Sequence, residues 1–156
     1  MFLQNLRAKI GARLKGDSEG GFTLIELLVV MLILGILAAI AIPAFFNQRD
    51  KGTDAQAKAA ARTAQTAIET FATDNSGSYA LATPAALKTI EDTLVTAAGE
   101  DNLITVPGPT ATTYTVTSES GTGTDFSISR DANGVVSFSC LPVSTGGCPA
   151  GGDWSQ

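Results

Sequence analysis

The chain has 156 residues, enough for one modest domain or for a small domain with an appendage. Charged residues make up 16% against 44% apolar, the formal charge is −5, and there is no histidine and only a pair of cysteines. These figures exclude imidazole acid–base catalysis, Ser-His-Asp and Cys-His nucleophile pairs and Cys₄ metal centres, and the acidity argues against a dedicated nucleic-acid binder.

Residues 1–21 carry Arg7, Lys9, Arg13 and Lys15 against Asp17 and Glu19. Leu3, Leu6, Ile10 and Leu14 recur at helical spacing, so this segment is either a membrane-surface helix or a merely basic, disordered stretch. Residues 22–46, FTLIELLVVMLILGILAAIAIPAFF, contain one ionisable side chain, Glu26. The 20 uncharged residues from Leu27 to Phe46 cover the roughly 30 Å hydrocarbon core of a bilayer at about 1.5 Å each, so a membrane-spanning helix is expected. A cleaved secretory signal would have an apolar stretch of roughly 7–15 residues and a small-residue cleavage site, whereas this run continues through Pro43, Phe45 and Phe46. Near its two ends Lys and Arg balance, with Arg7, Lys9, Arg13 and Lys15 before it and Arg49, Lys51, Lys58 and Arg62 after it, which gives no orientation.

The helix is expected to continue over 47–73, with bends at Pro43 and Gly52. Ala57, Ala61, Ala64, Ile68 and Phe71 recur at three- and four-residue steps and form one apolar face. The cluster Asp74–Ser78 ends it, and Thr83-Pro84 then has the form of an N-cap with proline at the first helical position. A short helix over 84–98 is expected, with Leu87, Ile90 and Leu94 turned inward. Within 110–140 the period becomes two: Tyr114 and Val116, then Phe126 and Ile128, then Val136, Phe138 and Cys140 alternate with Thr or Ser. Three antiparallel strands joined by turns at Ser120–Thr124 and Asp131–Gly134 are therefore predicted, followed by a C-terminal loop over 141–156 in which Trp154 docks. The expected class is α+β, a long helix packed against a small antiparallel sheet.

Glu26 is the informative side chain. An ionised carboxylate inside hydrocarbon costs roughly 2.5–3.5 kcal/mol on translocon scales, which calls for a partner. Close to the start of the apolar run, it is equally placed to snorkel to the headgroups. A cut between Gly21 and Phe22 would create an α-ammonium one helical turn before Glu26, on the same face. The two charges would then pair within one chain or between staggered chains.

The run Gly21-Phe22-Thr23-Leu24-Ile25-Glu26-Leu27-Leu28-Val29-Val30, followed by Ile40-Ala41-Ile42-Pro43, resembles the processing and assembly motif of type IV pilins and type II secretion pseudopilins, over roughly residues 20–50. The resemblance implies a bacterial, pilin-like protein whose leader, 1–21, is removed on the cytoplasmic side by a prepilin peptidase, which then methylates the Phe22 amine. The leader is longer than usual for pilins that begin with Phe. Glu26 would govern entry into a filament, and 47–156 would form an extracytoplasmic head. The implied partners are identical or related subunits, the peptidase, the membrane, and an assembly platform driven by a separate ATPase. The chain itself shows no P-loop, G-x-S-x-G or dinucleotide fingerprint, so no enzyme, cofactor or nucleic-acid role is expected. It would begin as a single-pass protein of the inner or cell membrane, N-terminus cytoplasmic and C-terminus outside, and end in an extracellular or periplasmic filament. A type II secretion pseudopilin or a DNA-uptake pilin is the alternative within the class; a membrane-anchored extracytoplasmic binding domain that never polymerises is the alternative outside it.

With the head outside the cytoplasm, Cys140 and Cys148 are expected to form a disulfide rather than stay as free thiols, a short loop closure of about 2–3 kcal/mol in the chain-entropy account. Asp131-Ala132-Asn133-Gly134 and Asp74-Asn75-Ser76-Gly77 are faintly similar to calcium loops, but they lack the spacing and the distal Glu; they are expected to be turns, with no metal site.

Overall fold

The computed structural model describes residues 21–155. The leader, with its stripe of Leu3, Leu6, Ile10 and Leu14, lies outside the described residues apart from Gly21. The chain divides into two compact units, one ending at Ile42 and one beginning at Pro43. Helix α1 (Leu24–Asp74) has 51 residues and contains Pro43.

In the first unit α1 is apolar on every side and buries none of its residues; Phe22, Met31 and Ile40 are all more than 70% exposed. A helix that is apolar all round belongs in lipid or in a bundle core. This stretch is long and apolar enough to cross a membrane.

In the second unit α1 turns Ala57, Ala61, Ala64, Ala67, Ile68 and Ala72 into the core, with Phe71 partly buried beside them. Small side chains at these steps allow close approach of the sheet. The helix ends where Ser76 (φ 57°) and Gly77 (φ 84°) adopt left-handed backbone, and the Gly77 N–H closes on the Ala72 carbonyl at 2.7 Å. The Asp74–Gly77 segment is thus a helix stop.

Helix α2 (Pro84–Ile90) is capped as expected, Thr83 Oγ1 accepting the Ala86 N–H at 3.1 Å. It is shorter than the predicted 84–98. Glu91 is already extended (φ −131°, ψ 96°), and Lys88 Nζ donates to the carbonyls of Asp92 and Leu94, both at 2.8 Å. Val95 then bridges Leu103 in parallel, which holds this stretch out of helix. Leu87 and Leu94 are buried as expected, but Ile90 is 37% exposed.

The sheet has four strands in the order β1 (Leu103–Thr105), β2 (Tyr114–Glu119), β3 (Asp125–Arg130) and β4 (Val136–Leu141), every neighbouring pair antiparallel. Strand β1 was absent from the sequence-based expectation, because three residues carry no measurable period. The register aligns Val116, Ile128 and Phe138, and beside them Ser118, Phe126 and Cys140. Ile104, Tyr114, Val116, Phe126, Ile128 and Cys140 face the core. On the opposite face Thr115 pairs with Ser129 at 2.9 Å and Thr117 with Ser127 at 2.8 Å, hydroxyl to hydroxyl. The result is the expected α+β arrangement of a long helix on a small antiparallel sheet. The Cys140–Cys148 disulfide is formed, with Cα atoms 5.8 Å apart.

Candidate assembly site

At the start of the first unit, Thr23 and Glu26 form a capping box. The Thr23 N–H and hydroxyl donate to Glu26 Oε2 at 2.8 and 2.7 Å, and the Glu26 N–H donates back to Thr23 Oγ1 at 3.3 Å. The carboxylate therefore satisfies donors that the first turn of a helix leaves open. Glu26 Oε1 accepts no hydrogen bond among the described residues. Phe22 precedes the helix, so the i to i+4 face shared by Phe22 and Glu26 that the spacing suggests does not form in this state. The T-x-x-E spacing ahead of an apolar run was the signal for this box, and Thr23 the residue that the sequence reading passed over.

In the second unit the informative acid is Asp54, fully buried one step ahead of the alanine stripe. Its Oδ1 accepts the hydroxyls of Ser120 (2.7 Å) and Thr122 (2.5 Å), and its Oδ2 accepts the Gly147 N–H at 2.6 Å. One turn on, Lys58 Nζ donates to the Gly147 carbonyl at 2.7 Å. Charge-assisted hydrogen bonds of this kind make burial of the carboxylate tolerable. The register 54, 57, 61, 64, 68 was visible in the sequence, but nothing local announced that an acid would belong to a core stripe.

Trp154 docks as expected and is 2% exposed. Its Nε1–H donates to the Ser139 carbonyl at 2.8 Å, and its ring meets Phe126 and Phe138 edge-on, with centroids 5.8 and 5.1 Å away. Lys58 and Arg62 lie over this aromatic group; Arg62 Cζ is 5.3 Å from the Trp154 centroid. Nearer the end of α1, Glu69 accepts from Tyr79 (2.8 Å) and Tyr114 (2.9 Å), while Arg130 Nε stands 3.9 Å from it. Burial first, and then the bond to Glu69, pushes both phenols above their ordinary pKa.

Asp131 Oδ1 accepts the backbone N–H groups of Asn133 (2.9 Å) and Val135 (2.8 Å), which hold its carboxyl below the usual carboxylate range. It is a turn residue. Among the described residues no three His, Cys, Asp or Glu side chains gather into a group that could hold a metal ion.

Residues 17–42 match the family described as the prokaryotic N-terminal methylation motif, which takes in Gly21, Phe22 and Glu26. Over 51 residues the chain is 47% identical to the type IV major pilin protein PilA of Myxococcus xanthus, covering 33% of this chain and 23% of that protein. It is 39% identical over 57 residues to the type II secretion system core protein G of Pseudomonas aeruginosa, covering 36% and 40% respectively. With the type IV major alpha-pilin of Moraxella bovis it shares 40% identity over 53 residues, 34% of this chain and 33% of that protein. These matches span well under half the length of each relative. No solved structure matches the chain.

Proposed function

We propose that this chain, whose N-terminal segment carries the methylation motif shared by type IV pilins and pseudopilins, is a filament subunit anchored in the membrane by α1 until it assembles. One observation carries the reading: Glu26 is the lone ionisable side chain in the unburied apolar stretch 22–46, which begins directly at the Gly21–Phe22 junction. Cleavage there by a prepilin peptidase on the cytoplasmic side releases the Phe22 amine, which is then methylated. Glu26 keeps one oxygen on Thr23 and turns the other to the Phe22 ammonium of a neighbouring subunit, so that neither charge is left unpaired in an apolar core. Gly35 and the alanines at 38, 39 and 41 suit close helix approach as protein contacts replace lipid contacts, and Pro43 supplies the bend. The head, from residue 47 on, lies outside the cytoplasm and coats the filament. Related subunits, the peptidase and an assembly platform with its own ATPase are the partners.

Relatives of both the pilus and the secretion kind match the same segment, so the secretion pseudopilin is the second reading. A long surface filament on cells, against a short periplasmic one, separates the two. The test of the common mechanism is Glu26→Ala in the native host. Mass spectrometry is expected to find N-methyl-Phe22 at the mature terminus of wild type and variant alike, with filament yield sharply reduced only in the variant. Abundant filaments from the variant would refute the charge pairing. An intact Met1 terminus on a protein that never polymerises would refute the whole reading and leave a plain membrane anchor.

A further inference from the structure

Asp54 holds a loop that also carries the disulfide. Residues 141–152 leave β4 and return to it at Gly152, whose carbonyl accepts the Cys140 N–H at 2.7 Å. Between those points α1 grips Gly147 at both of its backbone groups, Asp54 taking the N–H and Lys58 donating to the carbonyl. No side chain fits in this grip. A Cβ on Gly146 would collide with Asp54 Oδ2, and one on Gly147 would fall 3.0 Å from Asp54 Cβ. Directly after the loop comes Trp154, enclosed by Phe126, Phe138, Lys58 and Arg62.

Cys140 and Cys148 are 2% and 4% exposed. Thiol–disulfide exchange needs access of a thiolate to one sulfur, so a reductant reaches this bond only when the loop lifts. Lifting the loop takes the Gly147 N–H from Asp54. The disulfide and the Asp54 contact therefore hold one another in place, and by linkage the loss of either loosens the other to the same extent.

We propose that residues 141–152 form a redox-gated strap latched on Asp54. Oxidised, the strap pins residues 54–58 of α1 and holds the adjoining Trp154 in its seat against Phe126 and Phe138; reduced, it lifts and draws Trp154 out of that seat while the sheet stays folded. In the reduction a dithiol thiolate attacks one sulfur and forms a mixed disulfide, and its second thiol closes a ring and releases the protein. Two electrons pass to the protein, Cys140 and Cys148 each end with a proton, and one S–S bond forms in the reductant as one breaks in the chain. A chain held in a reducing compartment would carry the strap open and close it where thiols oxidise. This holds whether or not the chain polymerises.

The test uses the full chain in detergent micelles with dithiothreitol as reductant. Reduction is followed by alkylation and mass spectrometry, amide exchange by peptide, and the environment of Trp154, the single tryptophan, by acrylamide quenching. In Asp54→Asn the amide oxygen still serves Ser120 and Thr122, but its NH₂ confronts the Gly147 N–H, donor against donor. Reduction of this variant is expected to run about tenfold faster than in wild type, the factor that corresponds to losing one charge-assisted hydrogen bond. In wild type, reduction is expected to speed exchange in peptides spanning 54–62 and 141–154 and to expose Trp154 to quencher, with β2 and β3 still protected. Lys58→Met keeps an apolar stem of similar length and drops the bond to the Gly147 carbonyl together with the cation over Phe126 and Trp154; it is expected to speed reduction as well, and it keeps the test open if Asp54→Asn does not fold. Reduction of these variants at the wild-type rate would overturn the latch. A reduced protein with Trp154 still shielded, or with the sheet exchanging along with the strap, would overturn the gate.

Discussion

Tyr114 gives the sharpest quantitative test of how the head is held together. Its side chain is 2% exposed, and its hydroxyl donates to Glu69 at 2.9 Å. A hydrogen bond to a charged acceptor contributes about 1.5–3 kcal/mol, and a Glu69 side chain that is 44% exposed favours the lower end. Tyr114→Phe is therefore expected to lose about 1.5 kcal/mol at neutral pH. The folded state raises the phenol's pKa from the ordinary 10.0, through burial and then Glu69, so the folded state holds this proton more tightly than the unfolded one. The stabilisation is complete below the unfolded value of 10.0 and is lost as pH rises from there towards the folded value. At about pH 11 the unfolded phenol has gained about 1.4 kcal/mol by ionising, which nearly cancels the advantage of wild type over Tyr114→Phe; above that the order reverses. Urea unfolding of the full chain in mild detergent, followed by Trp154 fluorescence across this range, measures the two curves. The chain has only two tyrosines, and tyrosinate absorbance assigns the ionisation directly. Wild type and variant losing stability in parallel from neutral to alkaline pH would refute the reasoning, because lysine deprotonation and Tyr79 ionisation, common to both, would then account for the whole effect.

Two further perturbations bear on the fold of the head. Ala64→Leu adds three carbons at a fully buried position of α1 and is expected to cost about 1–3 kcal/mol by overpacking, while Ala59→Leu, on the exposed side, should stay within about 0.5 kcal/mol of wild type; equal chemical-denaturation midpoints for the two would contradict the helix-on-sheet packing. Thr83→Ala removes the acceptor for the Ala86 N–H and is expected to cost about 1 kcal/mol, with faster amide exchange confined to α2; unchanged exchange there would dismiss the cap.

What the sequence determined by itself was everything whose physics is local. An uncharged run of 20 residues, an alanine stripe at helical steps, a Thr-Pro cap and alternation of period two each depend on residues within a turn or a strand of one another. So do the turns at 120–124 and 131–134, and so does the Thr23–Glu26 box that the reading passed over. The tertiary structure decided what depends on residues far apart in the chain. Strand β1 exists because β2 and Val95 pair with three residues that have no period of their own, and α2 stops at Ile90 because that bridge holds the following stretch extended. Asp54 looks like one more solvated acid on a helix until Ser120, Thr122 and Gly147, between 66 and 93 residues away, bring their donors to it. A carboxylate is tolerated in a core only where donors converge on it, and the convergence is a property of the fold.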